Sequence, residues 1–552
     1  MNGSSDVSAA VARLSTLAPQ RLALDHRIQL CRECLARVCT LSDEWASAAV
    51  AGKGLPADSP LRSEDLLSGP AVVARQLQLM MQTFRRLRHS ETIRFPGRLK
   101  TLPGGQLAVP VFPTTGFFDR LTFMGLRAHV RLQPDTPADG LHGDLLNRVL
   151  GGQVSGITVV LGAGNVSSIP ATDSLDRILF GGRQVLLKMN PVNDYLTPIF
   201  QRAFEPLIRA GLLDIINGDG EAGVAAIHHP AVTDVHITGS AATHEQIVWG
   251  SPDERDERRR QNSPLLTKPV TSELGNVTPW IIVPGRYSDR QLTSQALHIA
   301  ASITNNASFN CLATKVIVTW SRWEQRQTFL QLLQQILREC PARPAYYPGA
   351  TERYRRYTGI DAGSGTDVVL PWTVLENQSP DERPDLFAEE SFVCVCAETQ
   401  LNAESPESFL LAAADFVNDR LSGTLCASVT VPDPFRTQKS AALEDCIRRL
   451  RYGSVCVNQW SGLAYGLTSP PWGAYPGATI GDPQSGIGNV HNTYLLGPVE
   501  KTVLDGPLIN FPKPVWFPTH CNAVSVARGL VDLYHHPSAF RLPGLFAAAL
   551  RG

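Results

Sequence analysis

The chain has 552 residues, 43% of them hydrophobic and 18% charged, with a formal net charge of -1 at pH 7. That length accommodates three to four units of roughly 150 residues with large cores, and the near-neutral balance supplies no attraction for nucleic acid or an anionic membrane. Eleven cysteines without scaffold-like spacing indicate a reducing compartment. The start Met1-Asn2-Gly3-Ser4-Ser5-Asp6 lacks the basic and apolar regions of a secretory signal. No stretch approaches the ~18 apolar residues of a membrane span. A cytoplasmic protein with no transmembrane segment is expected.

Residues 1–20 are small and polar and read as frayed. Leu22, Leu24, Ile28, Cys31, Leu35 and Val38 recur at helical spacing, and a second helix is expected over 71–88. Cys31 and Cys34 have no second pair nearby, so they read as packed cysteines on a helix, and no metal site is expected. Residues 122–132 alternate and predict an exposed strand or arm. Beyond 156 the pattern sharpens. Ile157–Leu161, 184–188, 213–217 and 234–238 read as short buried strands. Helical segments lie between them, the best carrying Leu196, Ile199, Phe200, Phe204, Leu207 and Ile208 on one face up to Gly211. Continuous apolar strands alternating with helices define a parallel sheet covered on both faces, with ligands at the carboxyl ends of its strands.

Two loops fall at those ends. Residues 162–168 read Gly-Ala-Gly-Asn-Val-Ser-Ser, a G-x-G-x-x-G fingerprint with Ser for its last Gly, and Lys188 stands where that fingerprint wants an acid. Thr238-Gly239-Ser240 opens a helix and presents free N–H groups to a phosphate, or is an ordinary N-cap. The run 253–260 reads as a solvated charged loop. A second α/β unit follows, with strands near 280–283, 316–319 and 454–458. Cys394 and Cys396 are expected on one face of another strand, and two C-terminal helices over 523–534 and 544–551. Within this unit Cys311 sits in a small polar loop before a buried strand, and Glu273 closes a Pro/Thr/Ser segment. A thiol that attacks a carbonyl and a carboxylate that activates water are the parts of covalent catalysis. Residue types alone also allow a packing cysteine at 311, a turn asparagine at 165, a surface lysine at 188 and a capping glutamate at 390.

The order of these motifs resembles the aldehyde dehydrogenase superfamily. Asn165 and Lys188, Ile237 to Ser240, Ser272 to Gly275, Asn306 to Cys311, Glu389 to Phe392, Gly453 to Asn458 and Ser485 to Gly488 stand in the family's order. The resemblance implies an α/β fold with a Rossmann-like cofactor domain (1–272), a catalytic domain carrying Cys311 (273–455), and a segment 456–552 holding the return of the chain, an oligomerisation strand and a C-terminal extension. A β arm for oligomerisation would come from 125–155 and residues near 490–505, making a homodimer or homotetramer. It implies NAD or NADP as cofactor and an aldehyde as substrate. Cys311, Glu273 and Asn165 would be catalytic. Lys188 and Glu390 would hold the riboses, Gly239 and Ser240 the pyrophosphate, and Phe392 the nicotinamide end. Pro191 stands where NAD-preferring members usually carry Glu, so NADP is admissible. The alternatives are a CoA-acylating aldehyde dehydrogenase or acyl-CoA reductase, and an inactive paralogue acting as an oligomeric scaffold.

Overall fold

A computed structural model describes residues 3–17, 21–90, 92–114, 117–365 and 367–552. Two sheets organise them. In the smaller, the parallel strands run in the order Val270–Glu273, Val232–Thr238, Ile157–Leu161, Gln184–Lys188, Leu213–Ile216, and the short strand Gly486–Ile487 adds antiparallel beside Val270–Glu273. The first strand in sequence, Ile157–Leu161, therefore lies between the second and the fourth. That is the doubly wound order, and its switch point falls at the carboxyl ends of Ile157–Leu161 and Val232–Thr238.

The larger sheet has ten strands among the described residues. Seven are parallel, from Thr373–Leu375 at one edge through Val395–Leu401, Val316–Trp320, Pro279–Ile282, Cys426–Thr430 and Ser454–Val457 to Val499–Asp505. Arg127–Leu132, Leu107–Phe112 and Lys100–Thr101 continue it antiparallel. The segments expected to form an arm thus contain strands, Arg127–Leu132 and Val499–Asp505, that pair with each other and lengthen this sheet. Arg127–Leu132, expected to be exposed, is largely buried.

Four local expectations are corrected. Within residues 1–20, Gly3–Leu17 is a helix; 1–2 and 18–20 lie outside the described residues. Val7, Ala10, Val11 and Leu14 form an apolar stripe buried against Ile216, Ala226 and Ile227. The helix expected to run to Gly211 breaks at Phe204 into Thr197–Ala203 and Glu205–Arg209. Pro206 has no N–H to continue the ladder. The charged run is a helix, Pro252–Arg260, that buries nothing. Pro252 in its first turn, acids Asp253 and Glu254 at its start and Arg258 to Arg260 at its end each suit a helix and its dipole. Finally, Cys394 packs with Val395 and Ala397 while Cys396 faces the other core. The tight turn from Val393 to Val395 precedes the strand, so the two-residue alternation has not begun at Cys394.

Candidate active site

The small sheet's register aligns its strand ends. Leu161 pairs with Lys188 and with Ile237, and Thr238 pairs with Glu273. From Glu273 the chain crosses in five residues to Pro279–Ile282 in the large sheet. The neighbouring strand there, Val316–Trp320, is the one that the Cys311 loop feeds. Thr278 ties the two together: its hydroxyl donates to the Cys311 carbonyl at 2.7 Å, and its carbonyl accepts from Lys315 N–H at 2.9 Å. The result is a Cys311 Sγ that lies 3.8 Å from Glu273 Oε1. Cys311 is half-buried and Glu273 buried. Burial and the nearby Asp173 carboxylate push the Glu273 carboxyl up to about 8. Burial, Glu273 and Glu390 push the Cys311 thiol well above its ordinary value.

The loop before Cys311 is strained and cross-braced. Asn306, Ala307 and Ser308 have φ of 52°, 53° and 68°, the left-handed region that non-glycine residues seldom enter. Asn306 holds this geometry. Its N–H donates to Glu64 at 2.9 Å, its amide to the Asn165 and Phe309 carbonyls at 2.8 and 3.0 Å, and its Oδ1 accepts from Tyr346 at 2.9 Å. The Asn165 amide donates to the Phe309 carbonyl at 3.1 Å, so Asn165 stands beside the loop that carries the thiol.

A crevice of about 3590 Å³, partly open to solvent, runs along the strand ends and brings together Asn165, Lys188, Gly239, Ser240, Glu273, Cys311, Glu390 and Phe392. Every site residue expected from the sequence lines it. Lys188 is 8% exposed and has no hydrogen-bond or ion-pair partner among the described residues; its burial lowers its pKa, against the pull of Asp219 and Asp194. Glu390 Oε1 is buried and likewise unpartnered. Burial pushes this carboxyl up to about 7 although Lys315 stands near. A side chain at Gly275 would collide with it. Ser240 caps Ala241–Trp249, accepting from Thr243 N–H at 3.1 Å. Gly239 N–H is taken by the Glu273 carbonyl at 3.1 Å and Thr243 N–H by the Ser240 cap, which leaves the Ala241 and Ala242 amides to meet an anion. A buried lysine without a partner, an orphaned carboxylate oxygen and an open helix start fit an extended, polyhydroxylated, anionic ligand such as a dinucleotide.

On the other side of Cys311 lies a second cavity of about 1420 Å³, lined mainly by apolar side chains. Cys311 and Glu273 line both spaces. Sequence reasoning missed several residues that shape the site. Thr278 and Tyr346 carry no motif. Lys315, 2% exposed and pushed down to about 8 by burial, donates to Ser308 and to the Val393 carbonyl. Asn276, which departs from the family pattern, is absorbed by bonds to Thr278 and the Cys426 carbonyl. An unusual polar residue at a buried turn was the available signal for Asn276 and Asn306. Nothing local marked the others.

These features define an α/β fold with a thiol and a carboxylate placed where a polar crevice meets an apolar cavity. Residues 153–348 match the model of the aldehyde dehydrogenase family. The chain is 28% identical over 159 residues to aldehyde dehydrogenase LUC3 of Fusarium sp, covering 28% of this chain and 30% of that protein. It is 27% identical over 192 residues to 4-trimethylaminobutyraldehyde dehydrogenase A of Danio rerio, covering 34% and 33%. The match thus spans about a third of these curated relatives. The fold is shared with the NAD-dependent aldehyde dehydrogenase from Sinorhizobium meliloti (TM-score 0.61, 17% identity, 91% and 87% of the chains covered). It is shared equally with aldehyde dehydrogenase KauB from Pseudomonas aeruginosa (0.60, 18%, 91% and 89%). Residues 153–348, a little over a third of the chain, thus resemble the aldehyde dehydrogenase family.

Proposed function

We propose that this protein oxidises an aldehyde to a carboxylic acid with NAD+ or NADP+. The observation that carries the reading is the placement of Cys311 and Glu273, 3.8 Å apart, at the junction of the polar crevice and the apolar cavity. An aldehyde entering by the apolar side meets the Cys311 thiolate, which adds to its carbonyl. The Asn165 amide and the Cys311 N–H stabilise the oxyanion that forms. Bound in the crevice, NAD(P)+ supplies the hydride acceptor. Lys188 and Glu390 would hold its hydroxyls, the first turn of Ala241–Trp249 its pyrophosphate, and Phe392 the end nearest Cys311. The cysteine is left as a thioester, and Glu273 then takes a proton from water, which releases the acid. A base already in contact with the sulfur favours water over CoA as acyl acceptor. Pro191 removes one carboxylate that would repel a 2′-phosphate after Lys188.

The test is NAD(P)H formation from an aldehyde panel with each cofactor, with and without CoA, on the wild type and Cys311→Ala. Turnover without CoA that is lost in the alanine variant supports the reading. Strict dependence on CoA overturns the hydrolytic step.

A further inference from the structure

The apolar cavity beyond Cys311 is built by both ends of the chain. Leu67, Ala71 and Val72 come from the N-terminal helices, and Val515, Trp516 and Tyr534 from the segment after the last strand of the large sheet. That C-terminal segment is fixed to the helix leading into the Cys311 loop. Trp516 Nε1 donates to His298 Nδ1 at 3.5 Å, His298 Nε2 donates to Asn510 Oδ1 at 3.0 Å, and the Phe517 ring meets the His298 ring edge-on at 4.7 Å. Farther along, the Arg75 guanidinium stacks over Tyr534 at 5.5 Å and Arg528 pairs with Asp43 at 2.9 Å. The wall is therefore held by contacts from two directions.

Its charges are spent on one another. Arg343 forms a two-pronged pair with Glu64 at 2.6 and 2.7 Å, and the Tyr465 hydroxyl is bonded to Ser168 at 2.9 Å. Burial lowers the pKa of His520. Apart from Glu273 at the reacting end, the charged side chains lining this cavity among the described residues, Glu64 and Arg343, are paired with each other, and the open polar atoms left are Arg343 Nε and His520 Nε2. A further cavity of about 670 Å³, partly open to solvent, shares Phe123, Val515, Trp516, His520 and Leu530 with it, so Trp516 lines both.

We propose that the substrate is an uncharged, bulky apolar aldehyde, aromatic or long-chain aliphatic, and that Trp516 sets the length accepted. This rests on the aldehyde-oxidising reading above.

The test measures kcat/KM along straight-chain aldehydes from acetaldehyde to dodecanal. Benzaldehyde, cationic betaine aldehyde and anionic glyoxylate are included, and the panel is run on the wild type, Trp516→Ala and Trp516→Phe. Binding of decan-1-ol, which cannot be oxidised through a thiohemiacetal, is measured by calorimetry in parallel. Circular dichroism checks that the variants fold. We expect kcat/KM to rise about fourfold per added CH2 until the cavity is full. The two charged aldehydes should lie at least ~100-fold below octanal, as expected for an unpaired charge brought into an apolar site. Trp516→Ala should move the optimum to longer chains, and Trp516→Phe should keep it. Equal use of charged and apolar aldehydes, or a chain-length profile unmoved by Trp516→Ala, would overturn the proposal. If no aldehyde reacts, the oxidation reading fails by itself. Decanol binding weakened in Trp516→Ala then still supports the cavity assignment, and absence of decanol binding refutes it.

Discussion

Glu273 is where one residue's environment sets a measurable property. Its carboxyl, pushed up to about 8, must be ionised to act as a base. The hydrolytic step should therefore gain rate as pH rises through about 8, read as thioester hydrolysis after a single turnover, and Glu273→Gln should abolish that dependence. The same shift has a consequence for stability. Between its ordinary 4.5 and about 8 the folded protein keeps a proton that the unfolded chain has lost, so stability declines as pH rises through that window. Thermal unfolding should show Glu273→Gln gaining on the wild type across the same range; parallel curves would contradict the buried, protonated carboxyl. Asn306 makes a second prediction. Left-handed residues cost about 1–3 kcal/mol each, and its side chain bonds two carbonyls and a tyrosine hydroxyl while its own N–H is held by Glu64. Asn306→Ala should lose about 2–3 kcal/mol of stability in chemical denaturation. Its kcat should fall more than tenfold, because the thiol's loop loses its brace. Asn306 could be seen beforehand only as part of a motif. Its four bonds reach Glu64, Asn165, Phe309 and Tyr346, and three of those partners are far from it in the chain.

Among the elements, those with a strong internal period were legible and those whose form depends on distant partners were not. Ile157–Leu161, Gln184–Lys188 and Val316–Trp320 are apolar runs short enough to be strands, and they are. The site residues followed, because they stand at the ends of such runs. Gly3–Leu17 looked frayed because its stripe is made of Val7, Ala10, Val11 and Leu14 among small polar residues, too weak to hold a helix alone. Docking on Leu213–Ile216 and Gly220–His228 supplies the rest. Leu14, 1% exposed, should cost about 2–4 kcal/mol when cut to alanine. An unchanged denaturation midpoint would show that this helix is not docked. Pro252–Arg260 looked like a loop because it has no apolar face; its support is dipole and charge pairing, with Glu254 to Arg258 and Glu257 to Arg260 on its surface and Arg259 bonded to Glu245. Reversing Arg258 and Arg260 to Glu should cost under ~1 kcal/mol. It should leave kcat unchanged, since this helix end is solvent-facing.

At the scale of the whole molecule, the active centre exists because one short crossing joins two sheets. The doubly wound sheet ends its strands at the crevice, and residues 274–278 carry the chain from Glu273 to the strand beside the one that follows Cys311. The termini then close the opposite side, so that a polar space and an apolar one meet at Cys311, Glu273 and Ile169. No sequence period reveals that meeting, because it is set by the order of strands in two separate sheets. The proposed chemistry there is a covalent intermediate on Cys311 that Glu273 resolves. The most direct measurement is mass spectrometry of Glu273→Gln after brief exposure to an apolar aldehyde with NAD(P)+. The peptide containing Cys311 should gain the mass of the aldehyde less two hydrogens, together with a burst of NAD(P)H equal to the enzyme present. A burst with no mass on that peptide, or full turnover by Cys311→Ala, would contradict the account.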